Sequence, residues 1–216
     1  MTASINIDAL GTEGFVEGWA DLDRESVLRV FSVLGKPVSG NRHSELVRDI
    51  QPRLASEAPL NTLSSRYGLA QFPFHTDGAH WVRPPRYLVL YCLNPGSGSR
   101  TTRLLSPLES CGSEELAPLR RDVWRVAGVK RPFLARILDG VCGTEFLRFD
   151  AACMTSLKAS APSRAVIQTL IARTGSRTIE WEPSKFLVID NWRALHARGP
   201  AKKVDCDRHH LRLLLE

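Results

Sequence analysis

Residues 74–81 read Phe-His-Thr-Asp-Gly-Ala-His-Trp, and residues 186–196 read Phe-Leu-Val-Ile-Asp-Asn-Trp-Arg-Ala-Leu-His. In the first stretch, His75 and Asp77 are two positions apart, and on an extended strand such side chains point the same way. The second stretch is a largely apolar strand pattern that ends at His196. Two imidazoles and one carboxylate form a ligand face that suits a ferrous ion and leaves coordination positions open. The pattern predicts a metal site.

The surroundings of the first stretch leave a second interpretation open. His75 follows Phe72, Pro73 and Phe74, and an isolated histidine in an apolar setting is more often a core residue than a ligand. Asp77 favours the metal, because burying an unpaired carboxylate is costly and a cation removes that cost. The alternative is an unrelated surface His-x-Asp pair together with a core histidine.

Two arginines near residue 216 are candidates for binding an anion. Arg208 and Arg212 lie in Asp-Arg-His-His-Leu-Arg-Leu-Leu-Leu-Glu, residues 207–216. On a strand, positions 208, 210 and 212 face the same way. Guanidinium groups that point inward need anionic partners, and their fork matches a carboxylate in bidentate fashion. We expect a bound carboxylate beside the metal, with pairing to surface acids as the alternative.

The bulk composition is that of one globular domain. The chain has 216 residues, of which 43% are hydrophobic and 24% charged, and this fits a single domain, residues 1–216. Its core is expected at about 67–215, with 36–66 and 107–142 as candidate active-site loops. No apolar run approaches the roughly 20 residues of a membrane span, and the first residues do not resemble a signal peptide. We expect a cytoplasmic protein with no membrane partner.

Charge and cysteine usage exclude other classes of protein. The net charge is +6, but the basic residues are spread along the chain, which favours a solvated surface over a nucleic-acid site. The five cysteines are widely spaced and lack a Cys-x-x-Cys pair, which argues against a disulfide framework or a zinc knuckle. No nucleic-acid partner is expected.

The periodicity predicts mostly strands. Helices are predicted at 22–34, with Asp21 or Asp23 as the cap, and at 163–173, with Ser163 as the cap. Strands are predicted at 69–75, 86–93, 101–105, 123–126, 145–149, 178–181, 186–190 and 211–215. Many short strands with a few helices suggest a mainly β protein with a double-sheet jelly-roll core. In such a sandwich, inward-facing residues from distant positions meet at one mouth.

Four runs extend the pattern beyond the metal residues. They are residues 74–81, the run Pro-Gly-Ser-Gly-Ser-Arg-Thr-Thr-Arg-Leu-Leu (95–105), Leu-Arg-Phe-Asp (147–150) and Val-Ile-Asp-Asn-Trp-Arg-Ala-Leu-His-Ala-Arg (188–198). In order and spacing they resemble the iron(II)/2-oxoglutarate-dependent dioxygenases of the taurine dioxygenase and clavaminate synthase type. The resemblance covers about residues 67–215, and it rests on the four runs together.

The resemblance implies a double-stranded β-helix, or cupin-like jelly roll, and the cofactors Fe(II), 2-oxoglutarate and O2. The implied iron ligands are His75, Asp77 and His196. The implied residues for the distal carboxylate of 2-oxoglutarate are Arg208 and Thr102, with Arg212 near the same cosubstrate. Thr101 is adjacent, so the register of the threonine is open by one position.

The resemblance also implies a reaction. 2-Oxoglutarate is decarboxylated to succinate and CO2 while an unactivated C–H of a small, amino-acid-like metabolite is hydroxylated, desaturated or cyclised, as in a biosynthetic pathway. Asp77 favours these outcomes over chlorination, because related halogenases have a small residue in its place. The chain is shorter than the usual family member, so the substrate lid is reduced or is replaced by 36–66 and 107–142.

Several assignments remain open at this level. Arg148 faces the substrate pocket or pairs with Asp150, and Arg198 has a structural salt bridge as an equal alternative to a role in the site. His80 and Trp81 are candidates to line the pocket, with packing the more common role of such a tryptophan. The competing functions are a catalytically inactive jelly-roll binding protein and a nucleic-acid-directed dioxygenase. Exposed apolar segments are candidates for a homodimer face.

Overall fold

The computed structural model describes residues 6–40, 44–60, 62–107, 111–128, 130–141, 143–173, 175–200 and 205–216. The α-helices of these residues are α1 (Ile7–Glu13), α2 (Arg24–Phe31), α3 (Leu63–Tyr67), α4 (Ser113–Arg121) and α5 (Pro162–Ala172). The strands are β1 (Phe15–Trp19), β2 (Pro37–Val38), β3 (Val47–Ile50), β4 (Tyr87–Asn94), β5 (Thr102–Leu105), β6 (Trp124–Val126), β7 (Phe133–Ala135), β8 (Leu138–Val141), β9 (Thr144–Leu147), β10 (Met154–Ser156), β11 (Arg177–Ile179), β12 (Lys185–Asp190), β13 (Leu195–Arg198) and β14 (His209–Leu215). The prediction of a mainly β protein with flanking helices is confirmed.

The largest sheet has six strands, and all of its pairs are antiparallel. Its order is β1-β12-β4-β14-β2, and β3 pairs with the other half of the same edge of β14. β14 therefore has β4 on one side and two short strands on the other. Residues 36–66, a candidate active-site loop, supply both short strands and most of α3, and a role of this segment at the site remains a proposal. Two and four residues are too few to display the alternation that identifies a strand.

Both faces of the large sheet are buried, which explains the nearly continuous apolar runs of its central strands. On β4, Val89 and Tyr91 pack with Phe31 of α2 in one core, whereas Leu88 and Cys92 belong to a second core. The second core also contains residues of β5 and β11, so it lies between the large sheet and a smaller sheet of order β11-β5-β13. This second layer carries the candidate site.

A third core lies under α4 and α5. It joins the sheet β10-β6-β7 and the β8-β9 hairpin to both helices, and it contains the fully buried Leu119, Ile137 and Leu147. Residues 107–142 thus supply α4, β6, β7 and β8, which are packed structural elements. Whether any part of the segment contacts substrate remains a proposal.

The helix predictions hold with small shifts. Asp23 caps α2 and accepts a hydrogen bond from the Ser26 N–H. α5 begins at Pro162 with Ala161 before it, so Ser163 is not the cap. Its N–H instead donates to Asp122 and its hydroxyl accepts from the Trp124 indole. Among the described residues, no helix has both the length and the apolar character needed to span a lipid bilayer.

Candidate metal and anion site

Backbone hydrogen bonds between His75 and His196 fix the relative position of the two residues. The His75 N–H donates to the His196 carbonyl at 2.9 Å, and the His196 N–H donates to the His75 carbonyl at 3.1 Å. This is an isolated antiparallel bridge, so the predicted strand at 69–75 is reduced to one paired residue. The two imidazole centroids are 4.2 Å apart. One backbone pair thus brings together side chains that are far apart in the sequence.

The third member of the group is Asp77. One ligand atom from each of His75, Asp77 and His196 lies within 4.8 Å of the others. Asp77 is not on a strand, as the His-x-Asp argument assumed, but in the turn that follows the bridge. Gly78 has φ +70°, and a Cβ there would come within 2.7 Å of Pro85. A glycine at this position permits the turn that directs the carboxylate toward the histidines.

Asn191 fixes the backbone of Asp77. Its Oδ1 accepts from the Asp77 N–H at 2.8 Å, and its Nδ2 donates to the Asp77 carbonyl at 2.9 Å. The same Nδ2 donates to the Pro85 carbonyl at 2.8 Å, and the side chain is fully buried. Asn191 lies in the quoted run before His196, but the sequence alone assigns it no role. It holds the Asp77 backbone in place by satisfying both polar groups of that residue.

Both imidazoles are suited to bind a cation. The Nδ1 of His75 lies 2.9 Å from the Pro73 carbonyl. A carbonyl only accepts, so Nδ1 carries the proton and Nε2 has a free lone pair. Burial is the largest effect on His196 and lowers its pKa to about 3. Its Nδ1 is buried with no hydrogen-bond partner among the described residues. Two imidazoles and a carboxylate match the donor preference of Fe(II).

Arg212 pairs with the carboxylate of this group. Its Nη1 lies 3.2 and 3.3 Å from the two oxygens of Asp77. Burial alone raises the pKa of Asp77, but the nearby positive charge outweighs it and holds that pKa below its usual value. Since His196 is neutral near pH 7, we attribute this mainly to the Arg212 guanidinium. Arg212 lies on the face of β14 that the sequence predicted.

Arg208 lies immediately before β14 rather than on it, so the expectation that it shares a strand face with Arg212 does not extend to it, and it is buried. Its Nε has no hydrogen-bond partner among the described residues, and burial lowers its pKa to about 10. The positive charge of Arg100 also lowers the pKa of Arg208, and the charges of Arg100 and Arg208 lower the pKa of Arg198. The negative charge of Asp205 opposes this effect on both residues. Asp205 forms a buried 2.8 Å ion pair with Arg100. The cluster therefore has excess positive charge, which an added anion offsets.

The two candidate threonines have different surroundings. Thr102 is buried, and its Oγ1 accepts from the Trp181 indole N–H at 3.0 Å. Thr102 lies on β5, opposite Arg198 of β13. The Thr101 hydroxyl lies against Gly199, where a Cβ would come within 2.3 Å of it. The hydroxyl of Thr102 is therefore buried beside Trp181.

The other arginines of the motifs bind backbone carbonyls. Arg148 is fully buried and donates to the carbonyls of Ala79, Trp81 and Val82. It holds the segment after the metal motif, and among the described residues it forms no ion pair with Asp150; that it also faces the substrate pocket remains a prediction. Arg198 donates to the carbonyls of residues 68 and 70, so its structural role is made by backbone hydrogen bonds rather than by a salt bridge to a described residue.

His80 and Trp81, at the end of the metal motif, are hydrogen-bonded to each other. The Trp81 indole N–H donates to His80 Nε2 at 3.0 Å. Burial lowers the pKa of His80, although the charge of Asp77 opposes this effect. His80 is therefore close to the metal-ligand group, and its Nδ1 carries the ring proton, since Nε2 accepts.

Solved structures share this fold. No family model and no curated protein match the chain. PvcB from Pseudomonas aeruginosa is 18% identical with a TM-score of 0.69, over 97% of this chain and 78% of that one. Asparagine oxygenase with Fe(II), 2S,3S-3-hydroxyasparagine and succinate is 20% identical with a TM-score of 0.69, over 88% of this chain and 64% of that one. The non-heme iron oxygenase OrfP with Fe is 23% identical with a TM-score of 0.66, over 89% and 64%. The chain thus spans about two thirds or less of the length of the last two proteins.

Proposed function

We propose that the chain is an Fe(II)- and 2-oxoglutarate-dependent oxygenase. The observation that carries the proposal is the grouping of His75, Asp77 and His196, whose ligand atoms lie within 4.8 Å of one another. The buried guanidinium of Arg208, which lies immediately before β14 and whose Nε has no hydrogen-bond partner among the described residues, supports it. Few functions other than metal-assisted chemistry on an anion require both features in one layer of a protein.

The fold supports the same proposal. Proteins that share it include OrfP, solved with Fe and α-ketoglutaric acid, and PvcB, described as an Fe, α-ketoglutarate-dependent oxygenase. We propose that the six-stranded sheet and the β11-β5-β13 sheet form a double-stranded β-helix, the jelly roll of the sequence prediction. The three metal residues then lie between the two sheets, where side chains from β13 and β14 and from the turn at Asp77 meet.

Each residue of the site has a defined task in this proposal. His75, Asp77 and His196 hold Fe(II), and their three donors leave positions for cosubstrate and oxygen. Bound Fe(II) supplies the redox chemistry that couples decarboxylation of 2-oxoglutarate to oxidation of a C–H bond. The remaining tasks belong to the protein, which orients the reactants and keeps water out.

The cosubstrate is held by Arg208 and Thr102, which have donors available. Arg208 clamps the distal carboxylate, and the Thr102 hydroxyl donates to it, because its oxygen already accepts from Trp181 and its proton is left for an acceptor. Arg212 contacts Asp77 and lies beside the reacting groups, where it offers a second positive charge. The excess charge of the Arg208 cluster is neutralised when the dianion binds.

The substrate we propose is a small, amino-acid-like metabolite. Asparagine oxygenase was solved with 2S,3S-3-hydroxyasparagine and OrfP with (3S)-hydroxy-L-Arg, and both share this fold. Asp77 fills the position that a halogenase leaves open, so we propose hydroxylation, desaturation or cyclisation. We further propose a cytoplasmic location.

The test is succinate formation. Purified protein is loaded anaerobically with Fe(II), mixed with 2-oxoglutarate and a panel of L-amino acids, and exposed to O2. We expect iron-dependent succinate release that at least one amino acid stimulates. The matched control is Asp77→Asn, which keeps the size of the side chain. Metal and 2-oxoglutarate binding without succinate release under any condition would identify an inactive binding protein instead.

A further inference from the structure

His210 is a buried histidine that the proposed function leaves unused. It lies on β14, where it shares a face with Arg212, and Arg208 lies two residues before it, immediately outside the strand. Its side chain is 1% exposed. The ring packs edge to face against Trp181, with centroids 4.4 Å apart and an interplanar angle of 83°. Neither ring nitrogen has a hydrogen-bond partner among the described residues.

Such an imidazole has unused binding capacity. Burial, with Arg208 as the next cause, lowers the pKa of His210 well below its usual value, so the ring is neutral and offers one donor and one acceptor. Proteins seldom leave both atoms of a buried polar group unmatched. The ring therefore needs a partner that the described part of the chain does not provide.

The surroundings of His210 specify the charge of that partner. The groups that act on it electrostatically are Arg208 and His209, and both disfavour a positive charge on the ring. Its neighbour across the pair with β4 is Cys92, and on β3 it is Ile50, so neither pairing supplies an acid. A buried donor beside a buried guanidinium whose Nε lacks a partner among the described residues is a setting that favours an anionic acceptor.

The same layer contains a second available donor. Trp181, which orients the His210 ring, donates its indole N–H to the Thr102 hydroxyl. The hydroxyl proton is then left for another acceptor. Thr102 and His210 thus present donors from two facing sheets, and Arg208 lies immediately before the strand of His210. Trp181 contacts both of the uncharged donors.

We propose that His210 is a third donor to the distal carboxylate of 2-oxoglutarate, beside Arg208 and Thr102, with Trp181 holding its ring in place. The inference rests on the proposed function and adds a residue that selects the cosubstrate. A 2-oxo acid without a distal carboxylate, such as 2-oxobutyrate, gains nothing from this residue. The imidazole therefore contributes to the preference for the dicarboxylate.

The test is a binding measurement that needs no turnover. The full chain is loaded with Zn(II), and 2-oxoglutarate binding is followed by calorimetry. His210→Phe keeps an aromatic ring against Trp181 and removes both nitrogens. We expect its Kd for 2-oxoglutarate to rise about tenfold or more, as for loss of a hydrogen bond to a charged group. Weak binding of 2-oxobutyrate should be unchanged.

His209→Phe is the matched control. It changes the adjacent histidine, whose side chain is on the opposite face of β14 and pairs with Asp49 at 2.7 Å. We expect its Kd for 2-oxoglutarate to equal that of the wild type. An unchanged Kd in His210→Phe, or an equal loss for 2-oxobutyrate, would overturn the inference. If the wild-type protein binds no 2-oxoglutarate, the proposed function fails as well, and the two failures are distinguished.

A second measurement uses the unmodified protein, in case His210→Phe does not fold. With ¹⁵N-labelled histidine and Zn(II), the ring nitrogen resonances of His210 should shift when 2-oxoglutarate is added and stay in place with 2-oxobutyrate. Absence of a shift in a sample that binds 2-oxoglutarate would overturn the proposal. If His210→Phe folds, its metal-free form should be at least as stable as the wild type, because two unpaired buried atoms are removed. A structural histidine bound to internal water would instead lose stability and leave the affinity unchanged.

Discussion

Replacing Arg212 by Met should strengthen metal binding, although it removes a residue of the site. The guanidinium lies 3.2 Å from Asp77, and a cation must share or displace it to use that carboxylate. At an effective dielectric of about 20, the Coulomb attraction at this distance is about 5 kcal/mol. Much of it offsets desolvation, since the side chains are only 22% and 17% exposed. A net effect of about 1–2 kcal/mol remains, which corresponds to roughly 5–30-fold in metal affinity.

The assay is Mn(II) binding to metal-free protein, measured by calorimetry or by the loss of the free-ion electron paramagnetic resonance signal. The matched control is Arg177→Met, which removes a 3.3 Å ion pair with Glu17 from the surface and should leave the Mn(II) affinity unchanged. Unchanged or weaker Mn(II) binding in Arg212→Met would refute the reasoning, because it would mean that the guanidinium does not compete with the cation.

The same substitution has a pH signature in the metal-free protein. Arg212 holds the pKa of Asp77 below its usual value, so the pair stabilises the fold fully above the unfolded pKa of about 4. That contribution is lost as pH falls through the lowered folded pKa. We expect the wild type and Arg212→Met to differ in free energy of unfolding at pH 7 and to converge in acid. A difference that stays constant with pH would contradict this assignment.

Three further results are expected. Arg208→Ala should raise the Kd of 2-oxoglutarate by a factor that corresponds to about 2–4 kcal/mol; calorimetry on the Zn(II) form measures it, and an unchanged Kd would move the clamp to Arg212. Asp77→Ala should abolish hydroxylation, measured as product by mass spectrometry, and full turnover would count against its place as third ligand. Mn(II) at about 100 times its Kd should stabilise the fold by about 2.7 kcal/mol, or about 5–10 °C in Tm; His196→Ala should remove that shift in a thermal melt.

The elements that the sequence predicted best are those buried on both faces. The strand predictions at 86–93 and 186–190 lie within one residue of β4 and β12 at each end. A short, continuous apolar run is typical of a strand that is buried on both faces of its sheet. The short strands β2, β3, β7 and β8 were not predicted. Their pairing depends on partners elsewhere in the chain, and two to four residues carry too little periodicity.

The residues of the site also differ in how readily the sequence identifies them. His75, Asp77, His196, Arg208 and Arg212 stand out because their residue types are unusual beside apolar runs. Asn191 does not, because its role is a contact with Asp77 across 114 positions of sequence, and an asparagine in a loop looks the same with or without it. The sequence argument correctly predicted that Asp77 lies close to the histidines, but it assumed that Asp77 is on a strand. Asp77 lies in a turn, and this turn also directs the carboxylate inward.

The exchange of two backbone hydrogen bonds between His75 and His196 sets the spacing of the two imidazoles directly. The residues between them form a closed loop, which also contains Asp77, Asn191 and the strands β4, β5 and β12. Lengthening a surface connection within such a loop costs little additional entropy. A redesign of selectivity should therefore alter the connections between these strands and leave the bridge, Asp77 and Asn191 intact.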